Sequence, residues 1–260
     1  MTLSIVYAIV ILIATTLGAF VGLGGGVIIK PVLDFIGKEP RLQVDFLSCV
    51  AVLTMSIFST AKAIKRKQKF EKNIIFLVAG GSIVGGWLGS YIIGILGQHF
   101  EQNRIRFVQA VILAALLLFV ALYTSFGKRS FHIKNGFAIV ITGLVLGCSA
   151  AFLGIGGGPI NVAVFMLLFS MEAKDSAVYS IAVIFFSQST KLISVLYSNG
   201  ISAYSHQWKT LLFILPAAIL GGIIGAEFNK KSDNKTIKTV FSICMLLLVC
   251  LNVYNAVSYF

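Results

Sequence analysis

The sequence predicts an all-α polytopic membrane protein. It is read as two inverted repeats, each a re-entrant, glycine-broken hairpin plus three spanning helices, with eight to ten membrane segments in all. Three observations lead there. First, 58% of the 260 residues are hydrophobic and only 12% are charged, and apolar runs near twenty residues recur along the chain. The strict apolar–polar alternation of a β-barrel is not seen. Second, "GLGGGVIIKPVL" (22–33) returns as "GIGGGPINVAVF" (154–165). Third, Lys and Arg are spread unevenly over the loops.

The elements follow in order. The chain starts "MTLSIVYAIVILIATTLG" with no basic stretch, so segment 3–23 reads as a membrane segment, not a cleaved leader. Segment 27–36 is short: at 1.5 Å per residue it covers about half of a ~30 Å hydrocarbon core. Segments 44–64, 73–97 and 105–123 are long enough to span. The second half offers 136–153, the short 159–171, then 176–197, 210–228 and 238–259.

The halves match at an offset of 132 residues. Gly22, Gly24, Gly25 and Gly26 fall on Gly154, Gly156, Gly157 and Gly158, and Ser48 falls on Ser180. "IRFVQAVILAALLLFVALY" matches "IKTVFSICMLLLVCLNVY", and "GGWLG" (85–89) matches "GGIIG" (221–225). This divides one membrane domain into an N-terminal repeat, 1–125, and a C-terminal repeat, 133–260.

Loop charges decide how the chain behaves at the glycines. If each glycine stretch is a kink in one long crossing, Lys and Arg number 10 on one side and 9 on the other. If the chain turns back there, the numbers are 14 and 5. The positive-inside rule selects the turn-back topology. It makes the halves inverted and puts both termini outside the cytoplasm. The same rule accounts for the net charge of +12, so nucleic acid is not an expected partner.

Backbone that leaves the helix inside a membrane must be buried in protein or line a wet cavity. Glycine suits such a turn. The short helix after each turn would aim free N–H groups and a positive dipole end inward, the outline of an anion site. Pro159 would stand at its first position, where a missing N–H costs nothing. The substrate-binding candidates are therefore Gly24, Gly25, Gly26, Gly156, Gly157, Gly158, Pro159 and Asn161. "GGWLG", "GGIIG" and "LGSYIIG" read instead as close-packing helix faces.

"FFSQSTK" (185–191) is the most polar patch inside an apolar segment. It adds Ser187, Gln188 and Lys191 as candidates, since an intramembrane lysine is expensive and functional by default. Ser56 and Ser59 of the matching segment join them. Lys30 is expected to pair with Asp34, four residues on. Asp45 and Asp175 read as helix caps, and Glu227 as an interfacial carboxylate. Cys49, Cys148, Cys244 and Cys250 lack the spacing of a disulfide or zinc site. No nucleophile–base pair or phosphate loop appears, so neither an enzyme, a cofactor nor a metal is expected.

"GAFVGLGGGVIIKPVL" (18–33), repeated as "SAAFLGIGGGPINVAVF" (149–165), resembles the paired signature of the TauE/SafE family of sulfite-exporter-like membrane permeases. The resemblance covers essentially the whole chain. It implies transport of sulfite, sulfonates or related small carboxylates across a prokaryotic inner membrane. Expected partners are that small anion and the bilayer, with a homodimer left open. The copies differ in that Val27 stands where Pro159 does, and Lys30 where Val162 does.

Overall fold

The computed structural model describes residues 2–36, 40–66, 71–126, 130–154 and 156–259. Among these the regular structure is helical. The first half holds α1 (Thr2–Val21), α2 (Gly26–Ile36), α3 (Arg41–Lys65), α4 (Lys72–His99) and α5 (Gln102–Phe126). The second holds α6 (Gly136–Leu153), α7 (Gly158–Phe169), α8 (Ala173–Asn199), α9 (Trp208–Lys231) and α10 (Asn234–Tyr259). A short 3-10 helix, Ile201–Gln207, precedes α9; the sequence did not signal it. Eight of the described helices are long and apolar enough to cross a membrane, while α2 and α7 are too short. Large apolar side chains such as Ile13, Phe76, Phe119, Leu212 and Leu247 stay exposed, as lipid-facing surfaces require.

At each glycine stretch the chain reverses. Gly25 lies against Ala14 and Thr15 of α1, and Gly24 N–H donates to the Gly18 carbonyl. In the second half, Phe131 and Ile133, just before α6, donate to the carbonyls of Leu167 and Leu168 at the end of α7. The start of α6 and the end of α7 therefore lie at the same level. Each short helix is buried in its own apolar core. Ile29 and Leu33 of α2 pack with Tyr7, Ile11, Leu47 and Met55. Phe165 and Phe169 of α7 pack with Leu117, Phe241 and Met245. This protein surround satisfies the condition for irregular backbone at membrane depth.

Glycine faces set the long-helix packing. Gly81, Gly85 and Gly89 of α4 meet the backbone of α6 from Val140 to Cys148. Gly221 and Gly225 of α9 meet α1 from Leu12 to Phe20. A Cβ on Gly85 would sit 1.9 Å from the Leu144 carbonyl oxygen, so only glycine permits that approach. Both contacts advance in the same chain direction, so α4 runs parallel to α6, and α1 to α9. Two other pairs run antiparallel. Thr124 near the end of α5 lies 3.3 Å from Ser242 near the start of α10, while Phe107 and Val257 line a common groove at the other end. Cys49 Sγ, early in α3, contacts the Gln188 carbonyl, late in α8; Arg66 after α3 shares a cavity with Lys174 at the start of α8.

Candidate functional site

The two turns have one backbone conformation. Gly22, Gly24 and Gly25 take φ of 82°, 77° and 74°, and Gly154, Gly156 and Gly157 take 69°, 73° and 82°. All six lie in the left-handed region that glycine alone enters freely. Gly26 and Gly158 then open α2 and α7. Pro159 is second in α7, behind Gly158, one place later than the sequence suggested. Its absent N–H still falls among the donors that no helical carbonyl would reach.

The tips touch. Gly158 lies so close to Leu23 that a Cβ there would be 1.9 Å from the Leu23 carbonyl oxygen. Ser180 Oγ of α8 donates to the Gly22 carbonyl at 2.7 Å and is 3.3 Å from the Gly158 carbonyl. One hydroxyl proton serves one carbonyl at a time, so Ser180 pins the meeting point of both hairpins. Asn161 is buried in the first turn of α7, with its amide turned back toward Gly157. An anion shared by both helix N-termini would have to part the tips.

A polar cavity of about 70 Å³ lies beside the second tip. Gly156, Ser187, Gln188 and Lys191 line it, as the sequence suggested. So do Ser82 and Ser90 of α4 and Thr190 and Ser194 of α8, which it did not assign. Their signal was present: Ser82, Gly86 and Ser90 recur every fourth residue, one face of a helix. Gln188 Nε2 points at the turn, 2.7 Å from where a Gly156 Cβ would stand. Ser187 and Thr190 donate to Ile184 and Phe186 carbonyls of their own helix, so each must rotate to donate to a ligand. Among the described residues no carboxylate pairs with Lys191.

The remaining candidates lie elsewhere. Gly24, Gly25 and Gly26 line neither this cavity nor the next. Ser56 is buried and bonds back to the Leu53 carbonyl. Ser59 lines a second cavity, of about 230 Å³, between α1, α3, α8 and α9.

Ion pairs tie several of these helices together. Lys30 pairs with Asp45 of α3, an across-helix contact that spacing along one helix cannot reveal; the Asp34 side chain lies outside the described residues. Asp45 is thus an ion-pair partner and not a cap, and α3 begins four residues before it, after Pro40. Asp175 likewise sits inside the first turn of α8, after Glu172. Lys30 Nζ reaches the second turn, 3.0 Å from where a Gly154 Cβ would be. Glu227 of α9 pairs with both Lys62 and Arg66.

The family model for Sulfite exporter TauE/SafE matches residues 7–252. The chain belongs to the TauE/SafE family. The Probable membrane transporter protein YunE of Bacillus subtilis (strain 168) is 28% identical over 275 residues, covering 95% of this chain and 96% of that one. No solved structure matches. This TauE/SafE chain is therefore a multi-pass membrane transporter, and its two glycine turns meet tip to tip.

Proposed function

We propose that this transporter moves a small oxyanion, with sulfite, small sulfonates and related carboxylates as the substrate class, outward across a prokaryotic inner membrane. The carrying observation is the cavity at the second glycine turn. It holds one lysine and a ring of hydroxyls at the level where the two hairpins meet. A buried anion needs a compensating charge and hydrogen-bond donors; Lys191 supplies the first, and Gln188, Ser82 and Ser194 supply the second, joined by Ser90 when it rotates off the Gly86 carbonyl. The chain acts here as a transporter and not as an enzyme.

Repeats 1–125 and 133–260 are read as inverted, with access alternating between them. The antiparallel pairs α3–α8 and α5–α10 support this, because their members occupy equivalent places in the two halves. The parallel pairs α1–α9 and α4–α6 support it too, because exchanging the halves turns one pair into the other. The face carrying Lys62, Arg66 and Lys230 is taken as cytoplasmic, with both termini outside. Export of a monoanion then gains about 2.3 kcal/mol per 100 mV of inside-negative potential.

The test is flux from proteoliposomes loaded with sulfite, small sulfonates or small carboxylates. At least one should leave saturably and show counterflow, which a channel does not. Lys191→Met should reduce that flux at least about tenfold, the loss of one charged hydrogen bond. If none of these anions moves, or if Lys191→Met moves them as fast, the reading fails.

A further inference from the structure

The second cavity has no role so far, yet it is the counterpart of the first. The first lies between α4, α6 and α8; the equivalent helices of the other half are α9, α1 and α3, and these line the second. Lys174, Val178 and Ile181 of α8 complete the second lining, and part of the rest corresponds by repeat position. Ala19 lines one where Ala151 lines the other, and Ser59 stands at the repeat position of Lys191. Duplication has therefore left one cavity at each end of the hairpin contact.

We propose that this second cavity is a separate anion-binding site, a loading site at the basic face for the same class of small oxyanion. The inference rests on the transport reading above. Its lining carries three cations, Arg66, Lys174 and Lys230, and no carboxylate among the described residues. Two of these cations are held in place by backbone. Arg66 Nη1 donates to the Ala226 carbonyl at 3.1 Å. Lys174 Nζ donates to the Lys230 and Ser232 carbonyls, each at 2.8 Å. Carbonyls fix a cation without cancelling its charge. Glu227, outside the lining, is shared between Arg66 and Lys62. A cleft of one charge sign with apolar walls concentrates the opposite ion.

Size separates the two sites. At about 230 Å³, with a water taking about 30 Å³, the basic cavity admits an oxyanion that keeps part of its hydration. At about 70 Å³, the cavity at Gly156 leaves less room for that hydration. Weak, hydrated capture at the basic face would precede tighter, less hydrated binding at the turn.

The experiment measures sulfite transport with sulfite supplied at the basic face or at the opposite face. Lys174→Gln keeps a donor for the α9 carbonyls and removes the charge. The KM at the basic face should rise about tenfold, with the KM at the opposite face within twofold of the parent. Lys174→Arg should restore the parent value. Lys235→Gln, on the same face but outside the cavity, should change neither. A folded Lys174→Gln with unchanged KM, or a Lys235→Gln that shifts KM as far, overturns the proposal. Sulfite titration of the purified protein separates this from a failure of the transport reading. Loss of one binding event in Lys174→Gln, with the event lost in Lys191→Met retained, supports the loading site even without flux. Titration that Lys174→Gln leaves unchanged overturns it.

Discussion

The two glycine turns share a backbone and differ in what they face. Gly24 and Gly156 hold repeat-equivalent positions with φ of 77° and 73°. A Cβ on either would meet a side chain of α8 at 2.7 Å, but for Gly24 it is Ile184 Cδ1 and for Gly156 it is Gln188 Nε2. Gly22 faces Ala177 and Val162, while Gly154 faces Lys30 Nζ. One turn is set in hydrocarbon and its twin among polar groups. The two turns thus share a fold, and polar chemistry gathers at one of them. The first turn supports the contact; the second faces the polar cavity.

The contact itself should be the most sensitive to change. Gly158→Ala puts a methyl into the Leu23 backbone, which no rotamer change relieves. The expected loss is about 3 kcal/mol or more, the upper end of overpacking costs, seen as a collapse in folded yield. Gly80→Ala is the control, since no atom lies within 4 Å of its Cβ position and it lines neither cavity. If Gly158→Ala folds and transports like Gly80→Ala, the tips do not meet as described.

The matched pair Gly24→Ala and Gly156→Ala tests the division of labour. Each carries the same left-handed penalty, roughly 1–2 kcal/mol, and each new methyl meets the movable end of a side chain. Their losses in Tm should therefore be similar. Their losses in anion affinity should not be, because only Gly156→Ala displaces the Gln188 amide. A tenfold or larger rise in KM for Gly156→Ala, against at most twofold for Gly24→Ala, is the expected result. Equal rises would mean that both turns serve the ligand.

Most of the architecture was legible because membranes simplify the problem. Apolar length marked the helices, and loop charge chose the turn-back at the glycines over a kink. The site was less legible, because its members come from helices joined only by packing. Ser82 and Ser90 enter the cavity since Gly81, Gly85 and Gly89 let α4 press on α6; the sequence showed those glycines as packing, but not what they would carry in. The Lys30–Asp45 pair was hidden, since spacing along a helix is visible and the approach of α3 is not. The cations of the second cavity looked like ordinary positive-inside residues. Their composition is the same whether they float on a surface or line a cleft.

The smallest expected effect lies at the repeat-equivalent residues Glu101 and Asp233, where the halves differ again. Asp233 caps α10, accepting from the Thr236 N–H at 3.1 Å, and the hydrogen bonds from Thr236 hold its carboxyl below the ordinary value of 3.8. Glu101 makes only a 3.9 Å contact with Arg104 between two exposed side chains, a kind of pair that contributes little. Because the folded pKa of Asp233 is depressed, its stabilisation is complete well above pH 3.8 and is lost as pH falls through the lower, folded value. Asp233→Ala should therefore lower Tm slightly at pH 7, and the gap from the parent should narrow as the pH drops below 4. Glu101→Ala should leave Tm unchanged at both. A gap for Asp233→Ala that stays constant with pH would show that its carboxylate charge does not carry the cap.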